Sequence, residues 1–212
     1  LKSLNLSLEG QYPNLKAGFF SLQLDFAKDT VQLWYGYEQE LLGEYRVLGN
    51  AKEVKKQIES FLKTGGSGLE PEAFIDKLKK AYQHLLQQKN EHDNQGIPII
   101  QVWLRMASWE IQTDQFQQEP LPENMKKYSR AEFSYDWYKS KKIASQKGLH
   151  FTVAVKAYSK NIQDYLWIPS SNRGEGSVYS FLKFEAKEAP QSLNSETTKQ
   201  LNLITKNQGE TK

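Results

Sequence analysis

Apolar residues recur at every second position through much of the first 48 residues: Leu4, Leu6 and Leu8, then Phe20, Leu22, Leu24 and Phe26, then Val31, Leu33, Tyr35 and Tyr37. A period of two belongs to extended chain, where successive side chains point to opposite faces, so each run offers one apolar face to a core. Three or four strands are expected, with Lys28-Asp29 forming a tight turn between Phe26 and Thr30. Strands this close in sequence pair antiparallel, which makes the N-terminal part a β-meander. The period then changes. Asn50-Ala-Lys-Glu53 has the form of a capping box, and Val54, Ile58, Phe61 and Leu62 make an apolar stripe on a helix over Ala51 to Lys63 that packs back on the sheet.

Gly65-Gly66-Ser67-Gly68 breaks this pattern with a composition shared by natural loops and engineered linkers. After it, Pro71 suits the first turn of a helix whose stripe of Phe74, Leu78, Ala81 and Leu85, widened by Ile75, Tyr82 and Leu86, runs to Gln88. KNEHDNQG reads as a loop. IPIIQVWLRMASW is apolar on too many sides for its period to decide, and is read as a buried helix after Pro98 with a strand as the alternative. Thr113 to Tyr128, with Pro120 and Pro122, is a long loop. Ser129-Arg-Ala-Glu132 is a second capping box, opening a helix to Gln146 that stops at Gly148. LHFTVAVKAY, DYLWIP and VYSFLKFEA are strands joined by polar, glycine-bearing turns, and the polar sequence after Pro190 is expected to be mobile.

These elements define an α+β protein: an N-terminal antiparallel β-meander with a packed helix (residues 1–64), a flexible Gly/Ser linker (65–70), a helical middle with a C-terminal antiparallel β-hairpin (71–188), and a polar tail (189–212). The 212 residues suffice for one domain with a sizeable core or for two small ones. The absence of cysteine excludes disulfide scaffolds, thiolate zinc sites and cysteine nucleophiles. His84, His92 and His150 stand apart without ligand-like spacing, so neither a metal nor another cofactor is expected. No apolar run reaches the roughly 20 residues a bilayer requires, which leads to the expectation of a soluble, cytoplasmic protein with no membrane partner. The chain opens on Leu1 rather than Met, which leaves a removed leader open. No G-x-x-x-x-G-K, G-x-G-x-x-G or G-x-S-x-G motif occurs, so the common nucleotide-binding and serine-hydrolase readings lack support.

The net charge of +3 decides nothing, but its placement does. KKYSRAEFSYDWYKSKK, Lys126 to Lys142, is basic and aromatic at once. Advancing 100° per residue from Arg130, Phe133, Trp137 and Ala144 fall within about 300° to 340°, a normal core-facing arc. Tyr135, Tyr138 and Lys142 fall at about 80° to 140°, so the helix has two aromatic sides. Lysine and arginine neutralise phosphates while tyrosine rings stack on bases. Lys126, Lys127, Arg130, Tyr135, Tyr138, Lys139 and Lys142 are therefore the candidate nucleic-acid contacts, with DNA and RNA both open. The competing structural reading is a helix sandwiched between two layers, its tyrosines buried and its lysines solvating the rim. The order of helices followed by a hairpin is similar, at fold level only, to a winged-helix DNA-binding module, with Arg173 in SSNRGEG at the wing tip. The roughly sixteen-residue loop before Ser129 counts against that arrangement, because helix-turn-helix units use about three or four.

Two further functions fit parts of the chain. Aromatic content and the open edges of a meander suit a protein-interaction subunit of a larger assembly. Alternatively, Asp164 with Glu185-Ala-Lys187 matches the Asp…Glu-x-Lys pattern of Mg²⁺-dependent nucleases, in which two carboxylates hold the metal and the lysine serves the attacking water. That site requires a hairpin symmetric about Gly174 and Glu175, which would set Asp164 opposite Glu185. Acid-x-Lys also occurs at Glu53 to Lys55 and at Glu210 to Lys212, so the tripeptide alone carries little weight, and a non-catalytic binding protein is the favoured reading.

Overall fold

The structure, a computed structural model, describes residue 4 and residues 6–46, 51–88, 96–111, 113–156, 158 and 160–184. Glu185, Lys187 and the polar tail lie outside the described residues.

Five antiparallel strands form the first sheet: β1 (Glu9–Gln11), β2 (Asn14–Ala17), β3 (Phe20–Asp25), β4 (Thr30–Tyr35) and β5 (Glu40–Arg46), adjacent in chain order. Leu4, Leu6 and Leu8, expected to be a strand, are not one. Leu4, in 3-10 conformation, and Leu6, in irregular chain, instead pack on the sheet, and the first strand is β1, whose residues are all exposed. An edge strand beyond the reach of the packed helix has no face to bury, so alternation is lost there while pairing remains. In β4 the alternation is kept, with Val31, Leu33 and Tyr35 buried. These meet Val54, Ile58 and Phe61 of α1 (Ala51–Thr64) in a first core.

A second core is built by α2 (Pro71–Gln88), β6 (Ile97–Pro98), α3 (Ile99–Ile111), α5 (Arg130–Gln146), β7 (Leu149–Val153), β8 (Leu166–Pro169) and β9 (Gly176–Phe184). The segment IPIIQVWLRMASW is a helix from Ile99, with Ile99, Val102 and Met106 fully buried. The long loop before α5 contains a short helix, α4 (Asp114–Gln118), capped by the Thr113 hydroxyl, and a single 3-10 turn at Pro122–Asn124. Strand β9 pairs with β8 through its first half and with β7 and β6 through its second.

Two elements serve both cores. From α5, Phe133, Trp137 and Ala144 enter the second core, while Ala131, Tyr135 and Tyr138 pack on the first. In β8, Leu166 and Ile168 face the second core and Trp167 the first, so all four residues of the strand are buried. The Trp167 indole lies against Gly36: a Cβ there would come within 2.7 Å of the ring, at a backbone φ of 65°. Gln39 accepts a hydrogen bond from the Trp167 backbone N–H, Glu40 accepts one from Ala131 N–H at 2.8 Å, and the Ser134 hydroxyl donates to the Trp167 carbonyl at 2.8 Å. The meander is thereby tied to α5 and β8.

Gly36→Ala should combine left-handed backbone strain with displacement of a buried indole. A loss of about 2–3 kcal/mol is expected, seen as a lowering of Tm by roughly 5–10 °C in a calorimetric scan.

Candidate nucleic-acid interface

Helix α5 begins with both halves of the Ser129 capping box formed: the Ser129 hydroxyl accepts from Glu132 N–H at 3.2 Å, and the Glu132 carboxylate accepts from Ser129 N–H at 2.7 Å. Burial raises the Glu132 pKa, a shift the hydrogen bonds from Ser129 oppose. Arg130, proposed as a phosphate contact, is committed to the fold. Its guanidinium donates to the carbonyls of Ile162 and Tyr165 and lies 5.7 Å from the centre of the Trp103 ring. Burial lowers its pKa.

Tyr135 and Tyr138 sit against the meander rather than facing solvent as a free pair. Their ring centres lie 5.8 and 4.9 Å from that of Phe19, and the Tyr135 hydroxyl donates to the Leu62 carbonyl at 3.3 Å. The lysines extend beyond them. Lys139 Nζ lies 4.8 Å from the centre of the Tyr135 ring and Lys141 Nζ 5.3 Å from that of Tyr138, each a cation over an aromatic face. Lys142 and Lys127 are exposed. Lys141 also donates to the Ser170 carbonyl at 2.5 Å, which brings the β8–β9 turn, with exposed Arg173, beside the helix.

Beneath this surface lies a group that is not among the candidate residues read from sequence. Asp136, 1% exposed, accepts from Ser67 N–H at 2.6 Å and from the Tyr128 hydroxyl at 2.8 Å, and its other oxygen lies 2.9 Å from Lys139 Nζ. The Gly65 to Gly68 stretch, expected to be flexible, is held down here. A Cβ on Gly66, whose φ is 93°, would come within 2.2 Å of the Asp136 carboxylate. Lys126 donates to the Ser67 carbonyl at 2.7 Å and lies 3.5 Å from Glu110, which also pairs with Lys77. An acid at about 240° on the helical wheel, beside the core arc, was a signal that Asp136 would be buried. Its partner Ser67, 69 residues away, carried none.

The nuclease register differs from the one expected. Strand β8 pairs Leu166 with Tyr179 and Pro169 with Gly176, so the turn centres on Asn172 and Arg173 rather than on Gly174 and Glu175. The β8 pairing ends at Tyr179, because the same edge of β9 is taken at Phe181 and Leu182 by Pro98 and Ile97 of β6, so Asp164 is not set opposite a residue of β9. Asp164 itself lies in a 3-10 turn, Ile162–Asp164. Among the described residues no group of three His, Asp or Glu side chains is placed to hold a metal, and no helix is long and apolar enough to cross a membrane.

Protein-family models, curated proteins and solved structures contain no match to this chain.

Burial raises the pKa of Tyr128 well above its ordinary value, with the Asp136 charge adding to the effect, and burial likewise raises Tyr35 and Tyr135. A raised folded-state pKa on an acid means that the unfolded chain releases its proton first. Stability from these tyrosines is therefore intact below about pH 10 and lost as pH rises beyond it. Absorbance of tyrosinate, followed together with circular dichroism, should show some tyrosines ionising only as the fold is lost. Simple titration of every tyrosine with the fold intact would contradict this placement.

Proposed function

We propose that the chain is a non-catalytic nucleic-acid-binding protein that grips the phosphate backbone through the lysines of α5 and does not read bases with Tyr135 and Tyr138. One observation carries this reading. The two acids of α5 are withdrawn, Glu132 half-buried and Asp136 buried, while the charged side chains the helix exposes, Lys139, Lys141 and Lys142, are all basic. Lys127 and Lys126 extend the surface at the N-terminal end, and Arg173 borders it through the β8–β9 turn. Such contacts neutralise phosphates without carrying sequence information, so binding should be insensitive to base sequence. On this reading the protein works in the cytoplasm.

A second reading, the interaction subunit of a larger assembly, is favoured by Tyr12 and Phe26. Each is 60% exposed, and the two rings stack with centres 5.0 Å apart at one end of the meander. Exposed stacked rings beside an open strand edge suit a protein partner. In an isolated native complex, hydroxyl-radical footprinting should find both rings protected, and full reactivity of both would argue against this role.

The first reading is tested by titrating a labelled oligonucleotide across salt concentration. Four phosphate contacts predict a slope of log K against log salt near −3 for single strands. Replacing Lys127, Lys141 and Lys142 together by Gln should weaken binding roughly 10- to 100-fold at about 50 mM salt, equally for unrelated sequences. Absence of binding by the native chain at that salt would overturn the proposal.

A further inference from the structure

A series of contacts links the Lys139 side of α5 to α2 and α3. Lys139 pairs with Asp136, Asp136 holds Ser67, the Ser67 carbonyl holds Lys126, and Lys126 shares Glu110 with Lys77. Lys77 in turn lines an open cleft of about 590 Å³ between α2 and the end of α3, together with Leu69, Ala73, Asp76, Lys80 and Trp109. The acids along this line sit below or are already paired: Asp136 and Glu110 are 1% and 10% exposed at the side chain, and Asp76 accepts from Lys147 at 2.5 Å. Of these three acids only Asp76 is exposed, and Lys147 pairs with it. Lys80 is exposed and lines the same cleft as Trp109.

Trp109 belongs to the second core only in part, being half-buried where it lines the cleft. The cleft lies within the size range of small-molecule sites, ample for one nucleobase. A tryptophan face stacks on any base, and flanking lysines hold the phosphates on either side. Bases within a duplex are already stacked on their neighbours, so only a single strand can offer one to this ring.

Building on the nucleic-acid reading above, we infer that Trp109 is the stacking platform for one unpaired base of a single strand, whose backbone runs along Lys139, Lys126, Lys77 and Lys80. This assigns the aromatic role to a residue on α3 in place of the α5 tyrosines, and it makes single-stranded DNA or RNA the preferred ligand over duplex.

The test compares the full chain with Trp109→Leu, which keeps an apolar side chain against the core but cannot stack. The probes are an oligothymidine of about 20 nucleotides and a duplex of similar charge. Trp109→Leu should weaken the single strand about tenfold and leave the duplex within about twofold. Unchanged single-strand affinity overturns the stacking role while leaving phosphate binding by α5 intact. No binding of either probe to the native chain overturns both. Should Trp109→Leu fail to fold, photo-cross-linking of 5-iodouracil-substituted oligonucleotide to the native chain decides the matter. Adducts on the peptide containing Trp109 support the assignment, and adducts only on other aromatic residues refute it.

Discussion

Helix α5 has to bury two opposite sides at once, and much of the rest of the molecule follows from that constraint. A helix on the surface of a single core carries one apolar stripe and solvates the other side. In α5 one arc carries Phe133, Trp137 and Ala144 into the second core while another carries Tyr135 and Tyr138 onto the meander. Of the polar residues between the arcs, Ser134 and Asp136 are both buried, while the longer Lys139 and Lys141 reach solvent. Buried polar groups need partners, and these come from distant segments: Trp167 for Ser134, Ser67 and Tyr128 for Asp136. A hydrogen bond to a charged group contributes about 1.5–3 kcal/mol, and a lost partner would leave the carboxylate's desolvation uncompensated. Meander, Gly65 to Gly68 turn and hairpin are therefore fastened to one helix.

The same arrangement shapes the surface charge. Withdrawing Asp136 and Glu110 removes negative charge from the exterior without removing the lysines that pair with them, because long lysine side chains reach past buried carboxylates to solvent. Tyr135 and Tyr138 lie beneath Lys139 and Lys141, where the ring faces favour the ammonium groups. The charged side chains that α5 exposes are thus all basic, although the helix also carries two acids.

Much of the architecture was legible in sequence. The helix limits at Ala51, Pro71 and Arg130, the capping box at Ser129 and the alternation in β4 depend on local chemistry, since caps, proline positions and side-chain periodicity act within one or two turns. The first strand was misplaced because an edge strand with no buried face, like β1, has no alternation to read, while Leu4 and Leu6 pack on the core without being a strand. In the candidate site, the wheel of α5 correctly separated two aromatic sides. It carried no information on what each side would meet.

The α+β class, the meander, the principal helices and the placement of basic and aromatic residues on α5 can all be read from local pattern, because each rests on interactions between near neighbours. Only long-range packing sets Tyr135 and Tyr138 against Phe19, gives Arg130 the Ile162 and Tyr165 carbonyls, joins Asp136 to Ser67, and centres the β8–β9 turn on Asn172 and Arg173. Each of those contacts joins residues about 30 to more than 100 positions apart or depends on how a strand turns, and long-range pairing is set by the closing of two cores on one helix, which no local pattern encodes.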